Sequence, residues 1–315
     1  MSATERENEI RADVLILGGG PSGISCALEC ADSGLDHLLL ERSQKFGGQL
    51  DEIPGPIPNL PAGNYHASGK DLSFAMLEHA RSFGCSLEAG VDILEADLEK
   101  LSLRSKNTLY RGRTIYIAAG ARYREPTFEN QARFKEYIHH RHYVDNHHFE
   151  GRDVIIVGGG DSAFFAALAK ANVAKSVTIL HRSSNFKVRE DIRNLVQSDP
   201  RIEILPNYEI ISLEGRKRLE AVILKNNPSS KEHRRKADVV YAKLGYVPNS
   251  ELFYNQLEIT DSGHIKTDEK LRTSKAGVFA GGDIVSPGYD RIAVALGHGS
   301  LAVKFIRRYL TENQA

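Results

Sequence analysis

The chain has 315 residues, 41 % of them hydrophobic, with 41 basic and 41 acidic side chains. That length suits about two domains of ordinary size, and the balanced charge lacks the basic excess of a nucleic-acid or membrane-surface binder. No apolar run reaches the roughly 18 residues of a membrane span, residues 1–11 have no apolar leader core, and three cysteines are too few for a disulfide scaffold, which predicts a cytoplasmic α/β enzyme.

Residues 12–17 (ADVLIL) are a short apolar run ending in glycines, which predicts a buried parallel strand. A glycine turn, 18–23, follows. Residues 24–33 carry helix formers with Ala, Leu and Cys on one side, and 37–41 (HLLLE) predict a second strand, completing a βαβ unit. Residues 51–63 hold Pro54, Pro56, Pro58 and Pro61, four of the eleven prolines. Proline fixes φ and removes a donor, so this stretch predicts a clamped loop rather than a sheet interior. Residues 69–83 predict an amphipathic helix, 91–111 a β-meander and 114–120 another buried strand.

The pattern then repeats about 140 residues on: strand 153–157, glycine turn 158–163, helix 164–172 and strand 176–180. Residues 214–238 are polar and basic, which fits a solvated hairpin tip or a docking patch. A last buried strand at 277–280 runs into Gly281-Gly-Asp283, and 290–310 predict a closing helix.

Two of these turns carry chemistry. In Gly18-x-Gly20-x-x-Gly23 the first glycine permits the turn, the second admits a pyrophosphate, and the third lets helix and strand pack closely. The helix N-terminus then offers N–H groups and a positive dipole end to phosphates. Glu41 closes the next strand 18 residues after Gly23, where it meets a ribose diol. The second motif is Gly158-x-Gly160-x-x-Ala163, and its next strand ends in His181-Arg182 in place of an acid. A cation there suits a 2′-phosphate. Two dinucleotide sites in one chain point to a flavin and a nicotinamide cofactor.

Taken in order, residues 18–23, Glu41, 47–50 (GGQL), 59–61 (NLP), 118–120 (AAG), 158–163, His181-Arg182, the turn 262–268 and 281–283 (GGD) resemble the low-molecular-weight thioredoxin reductase family of FAD- and NADPH-dependent flavoproteins. The resemblance runs from about residue 13 to 310. It implies an α/β fold of two Rossmann-like dinucleotide-binding domains, the second inserted into the first. Residues 1–121 and 245–315 would be the halves of the FAD domain and 122–244 the NAD(P)-like domain, with joints at 120–126 and 244–249. It also implies a homodimer. Carried over by position, Gly18, Gly20, Ser22, Gly23, Glu41, Arg42, Gly48, Gln49, Leu50, Asn59, Gly120, Gly282, Asp283, Arg291, Ile292 and Ala293 would hold FAD. Of these, 48–50 and Asn59 would lie along the isoalloxazine, Asp283 on the ribityl chain or a phosphate-side hydroxyl, and 291–293 toward flavin N1 and O2. Gly158, Gly160, Asp161, Ser162, Ala163, His181, Arg182, Lys187 and Arg189 would hold the second dinucleotide.

The chain also departs from that family. Thioredoxin reductases carry a CxxC pair shortly before the second glycine motif. Here the slot falls on residues 141–144 (RHYV), followed by the family's Asp as Asp145, and no cysteine occurs in 86–315. Cys26 and Cys30, four apart on the first helix, read as core residues, and Cys85 precedes a strand. Bacillithiol-disulfide reductases place a Cys inside the first glycine motif, where this chain has Ser22. His139, His140, His142, His147 and His148 crowd the slot together with Tyr143. Three readings stand there: a solvated loop, a metal site that no second cluster completes, or His142, Tyr143 and Asp145 as flavin-facing groups. The family's His-Arg-Arg is His181-Arg182-Ser183, and Phe164-Phe165 replace an acidic pair. NADPH, NADH, or a second FAD as in some cyanobacterial relatives all fit that site. Ferredoxin–NADP reductases of this fold likewise lack CxxC and carry the GGGDSA of residues 158–163. The expectation is an FAD-dependent oxidoreductase without a dithiol relay, passing electrons between NAD(P)H and ferredoxin, flavodoxin or a small oxidant. A diflavin oxidoreductase linked to disulfides or ferredoxin, and a flavin sensor with a vestigial nicotinamide site, are the alternatives.

Overall fold

The computed structural model describes residues 8–57, 59–61, 66–141, 144–285 and 290–313. The chain divides into two compact units, one built from Met1–Arg122 with Val247–Ala315, the other from Tyr123–Tyr246.

The first unit opens with β1 (Asn8–Leu17), α1 (Pro21–Asp32) and β2 (His37–Glu41). Helix α2 (Gly69–Ser82) follows, started by a capping box in which Ser68 and Asp71 bond each other's backbone N–H. Strands β3 (Leu87–Ala89), β4 (Glu95–Asp97), β5 (Ser102–Arg104) and β6 (Thr108–Ile117) complete this half. Strands β1 and β6 are each ten residues long and pair in parallel from Asn8↔Thr108 to Leu17↔Ile117. The sequence reading started β1 at residue 12 and broke β6 at 111–114. Cross-strand charge pairing explains the difference. Arg111 meets Glu9 at 3.3 Å and Arg113 meets Asp13 at 2.9 Å, so the charged side chains that interrupt the apolar pattern are matched across the pair.

Strand β7 (Ala121–Tyr123) leads out of this half. The second unit contains β8 (Ile138–His139), β9 (Asp153–Val157), α3 (Asp161–Lys170), β10 (Ser176–His181), α4 (Glu190–Ser198) and β11 (Ile202–Pro206). Then come β12 (Tyr208–Glu214), β13 (Ala221–Asn226), β14 (Glu232–Lys236) and β15 (Val239–Ala242). The main sheet is parallel, ordered β11-β10-β9-β15-β8, and β12-β13-β14 form a separate antiparallel sheet. The strand order reverses between β9 and β15. In open α/β sheets a ligand settles in the crevice above the strand ends at such a point.

The basic stretch 231–236 is the outer strand of that hairpin. Three of its cations are paired: Arg234 with Glu214 at 2.8 Å, Lys236 with Asp153 at 2.7 Å, and Arg235 with Glu203. This is the solvated-hairpin alternative, with charges matched by acids on β12, β9 and β11.

The chain returns through β16 (Tyr246–Pro248) to the first unit, which it finishes with β17 (Val278–Ala280) and α5 (Ile292–Glu312). The sheet order is β3-β2-β1-β6-β5-β4, with β17 pairing parallel to β6. Strand β1 is buried on both faces. Val14 and Ile16 join a core with α1 and α5, and Leu15 joins one with Ile115, Ile117 and Val278. A continuous apolar run is what a doubly covered parallel strand requires. Among the described residues, no helix is long and apolar enough to cross a membrane.

Candidate functional sites

In the first unit the glycine turn joins β1 directly to α1. The helix starts at Pro21, inside the motif, with Gly20 as N-cap and no side-chain cap. Its first N–H groups and positive end are left for an external acceptor. Gly23 permits this geometry, since a Cβ there would lie 1.9 Å from the Gly18 carbonyl oxygen. A Cβ on Gly20 would meet nothing within 4 Å, so this face of the turn is open.

Three segments converge on the turn. Gly47 N–H donates to the Gly19 carbonyl at 2.8 Å, bringing Gly48 against Gly20. Gln49 Nε2 donates to Asp283 Oδ2 at 3.0 Å. Gly282 packs beside Ser22, whose Oγ is 2.7 Å from the Tyr116 hydroxyl in a buried pair. The Ser22 side chain is thus engaged inside the protein, and its backbone N–H lies in the first turn of α1. Leu50 is buried below the turn. Burial, together with the charge of Asp290, pushes the Asp283 carboxyl up to about 6. Arg291 is the N-cap of α5, Ile292 and Ala293 form its first turn, and no acidic side chain stands there. Asn59 is exposed on the proline loop.

Glu41 Oε2 accepts the Gly19 N–H and Oε1 the Ser43 N–H, both at 2.6 Å, which fixes its carboxylate at the end of β2. Beside it lies a cleft of about 420 Å³ with apolar walls that include Leu40, Val91, Ile93 and Phe253. Arg42, Arg122, Asn249 and Glu251 supply its polar lining. Arg122 bonds Asn249 Oδ1 at 2.9 Å and pairs with Glu251. Gly120 has φ +64°, and its carbonyl accepts the Asn249 N–H at 2.9 Å.

In the second unit α3 also begins inside its motif, at Asp161, with Gly160 as N-cap. Ser162 and Ala163 form its first turn. The segment after β10 folds back on this turn. Lys187 N–H donates to the Gly159 carbonyl at 2.7 Å and Arg189 N–H to Asp161 Oδ1 at 2.9 Å. The Arg189 guanidinium also pairs with Asp161 at 3.5 Å and lies 5.7 Å from the ring centre of Phe165, which is half exposed. His181 packs against Phe186, with ring centres 5.2 Å apart, and burial lowers its pKa. It therefore stands as a neutral ring under Gly159 rather than as the cation expected from the sequence. Positive charge at the end of β10 comes from Arg182.

Two lysines bond the described ends, Arg141 and Val144, of the slot that holds a dithiol in thioredoxin reductases. Lys243 Nζ donates to the Arg141 carbonyl at 2.7 Å, as does the Tyr241 hydroxyl at 3.1 Å. Lys170 is 6 % exposed and donates to the Val144 carbonyl and to Asn146 Oδ1, both at 2.8 Å. The ammonium also sits 4.5 Å from the Phe149 ring centre. His142 and Tyr143 lie outside the described residues. Asp145 is exposed, and its carboxylate is engaged by the His147 N–H and ring. His148 touches both His139 and His147 through tilted rings, with ring centres 4.6 and 3.9 Å apart. Burial chiefly, then the charge of His148, brings His139 down to about 4. Among the described residues, no three His, Cys, Asp or Glu side chains are arranged to hold a metal ion.

The sequence reading missed Lys170, Lys243 and the walls of the 420 Å³ cleft. No local signal separates these lysines from solvated ones, and the cleft walls come from distant segments.

The residues 12–299 match the model of the pyridine nucleotide-disulphide oxidoreductase family, and the chain belongs to that family. It is an oxidoreductase of the pyridine-nucleotide type with the thioredoxin reductase-like fold. A thioredoxin reductase of Listeria monocytogenes is 31 % identical over 95 % of this chain and 94 % of its own. A 34.2 kDa protein in the rubredoxin operon of Clostridium pasteurianum is 29 % identical over 96 % of this chain and 99 % of its own. Among solved structures, Lactococcus lactis thioredoxin reductase in its FR conformation superposes with a TM-score of 0.82 at 25 % identity, covering 96 % of this chain and 99 % of that one.

Proposed function

We propose that the protein transfers electrons from NAD(P)H through a bound flavin to an external acceptor, without a dithiol relay. A ferredoxin- or flavodoxin-type carrier comes first as acceptor and a small oxidant second. The observation that carries this reading is the state of the thiols. Residues 86–315 contain none. Cys26 is fully buried, with its thiol pushed well up by burial, and burial raises Cys85 to about 11. Thiolate is the reactive form of cysteine, and these sites suppress it. A relative in a rubredoxin operon supports an electron-carrier protein as acceptor.

The first unit fits FAD. The open Gly20 face and uncapped start of α1 suit a pyrophosphate, Glu41 suits a ribose diol, and the neighbouring cleft suits a flat adenine ring. Gln49 and Asp283 would hold the ribityl side, and the start of α5 would present N–H groups and Arg291 to the flavin's pyrimidine edge. Bound flavin supplies the two-electron exchange with a nicotinamide ring and the exchange with the acceptor. In the second unit, Gly158 to Ala163 would take the other pyrophosphate. Arg182 and Lys187 leave positive charge for a 2′-phosphate, which places NADPH ahead of NADH. We read the assembly as a homodimer, from the same resemblance.

Absorbance and anaerobic titration test this. The purified protein should carry one flavin per chain, bleach with NADPH, and recover its colour with oxidised ferredoxin or flavodoxin even after thiol alkylation. Absence of flavin bands would sink the reading. Loss of turnover on alkylation would restore a thiol relay, and two flavins per chain would favour a diflavin enzyme.

A further inference from the structure

Lys243 is the first residue past β15, and it stands at the point where the strand order of the second unit reverses. Its backbone N–H donates to the Val157 carbonyl at 2.6 Å, which locks it beside the end of β9. Contact with the glycine turn is intimate. A Cβ built on Gly158 would lie 2.5 Å from the Lys243 carbonyl oxygen and 3.1 Å from the Lys243 Cβ. Gly158 itself has φ +156°. The side chain is already directed: Nζ is 2.7 Å from the Arg141 carbonyl oxygen and 4.1 Å from the ring centre of Tyr241. Arg141 follows β8, the strand on the far side of β15.

A dinucleotide on the second glycine turn must cross the ends of β9 and β15, because the crevice at the switch point lies there. The group passing over that crevice is its diphosphate, which starts at the turn and the head of α3. Lys243 lies on the β15 side of that crevice, with its Cβ beside Gly158 and a side chain long enough to reach toward the turn. We propose that Lys243 is a diphosphate ligand of the second dinucleotide, opposite the glycine turn and held ready by the Arg141 carbonyl and the Tyr241 ring. The inference rests on reading the second unit as the nicotinamide-dinucleotide site. A compact ammonium suits this place because it binds phosphate as a point charge without a fixed fork. Anchoring beforehand reduces the rotamer entropy that a long side chain loses on binding. The neutral alternative, a lysine that simply props the segment after β8, predicts that its replacement leaves the preference among phosphate ligands unchanged.

The test uses the full-length, flavin-loaded protein, with 5′-ADP and 5′-AMP as probes, followed by calorimetry. The wild type should bind 5′-ADP at least about tenfold more tightly than 5′-AMP, because a charge-assisted bond reaches the second phosphate. Lys243→Met should bring the two affinities together and weaken NADPH by a similar factor, whereas Lys243→Arg should restore much of the difference. The ratio is insensitive to a general loss of stability, which would weaken both probes alike. An unchanged ADP-to-AMP ratio in Lys243→Met overturns this inference alone. If the flavin-loaded wild type binds neither NADPH nor 5′-ADP, the dinucleotide reading of the second unit falls, and this inference with it.

Discussion

A half-buried carboxylate with a second carboxylate nearby opposes folding whenever it is ionised. Asp283 is in that position, pushed up to about 6 by burial and by Asp290. The folded state therefore holds its proton more tightly than the unfolded chain, which releases it near the ordinary carboxylate value. Stability conferred by that proton is present below about pH 4 and is lost as pH rises through about 6. Asp283→Asn should accordingly raise the melting temperature of flavin-free protein at pH 7, by about 1–2 kcal/mol of stability, with little effect at pH 4. The same variant should bind FAD more weakly, read by flavin retention on gel filtration. Equal melting of the two proteins at pH 7 would remove Asp283 as a site of stored strain. His181 shows how far a residue's type can mislead about its charge. As sequence, His181-Arg182 reads as a cationic pair, but burial against Phe186 leaves the charge to Arg182.

At the scale of elements, the two glycine turns were legible because their spacing encodes backbone contacts. Gly23 must let α1 approach Gly18, and Gly158 must let the end of β15 approach the second turn. Both helices begin three residues earlier than periodicity suggests, since the turn itself forms the first helical turn. The lengths of β1 and β6 were not legible, because their outer halves are stabilised by ion pairs between residues about one hundred apart. Lys170 was hidden for a similar reason. It occupies the last turn of a helix, where lysine is ordinary, and its burial depends on a loop that folds over it. That loop depends on it in turn. Lys170→Met would leave the Val144 carbonyl and the Asn146 side-chain oxygen without their donor, costing about 1–3 kcal/mol. Hydrogen exchange should then speed up selectively around 144–149, with the strands of the same unit little changed. Uniform protection across that segment would show that Lys170 is not its anchor.

For the whole molecule, composition and length indicate only about two domains, and it is the resemblance that implies a split one and a continuous one. The second unit is one unbroken stretch, Tyr123–Tyr246, with its own parallel sheet and two core clusters. Expressed alone, it should melt cooperatively and retain binding of 5′-ADP. A non-cooperative melt would mean that its core needs the remainder of the chain. The first unit has no such independence, because β17 completes its sheet against β6 from the far side of the insertion.

That late pairing has a consequence for biosynthesis. Ile117 ends β6 and its partner strand begins at Val278, so 160 residues are translated between them. At ordinary elongation rates that is roughly ten to thirty seconds on the ribosome. During this interval the future β17 side of β6 is an unpaired edge rich in Ile and Tyr, the kind of template on which foreign strands grow. The inserted unit can fold while the unit that surrounds it is still incomplete. Nascent chains stalled between residues 246 and 278 should therefore engage chaperones through the first half, and release should coincide with emergence of β17.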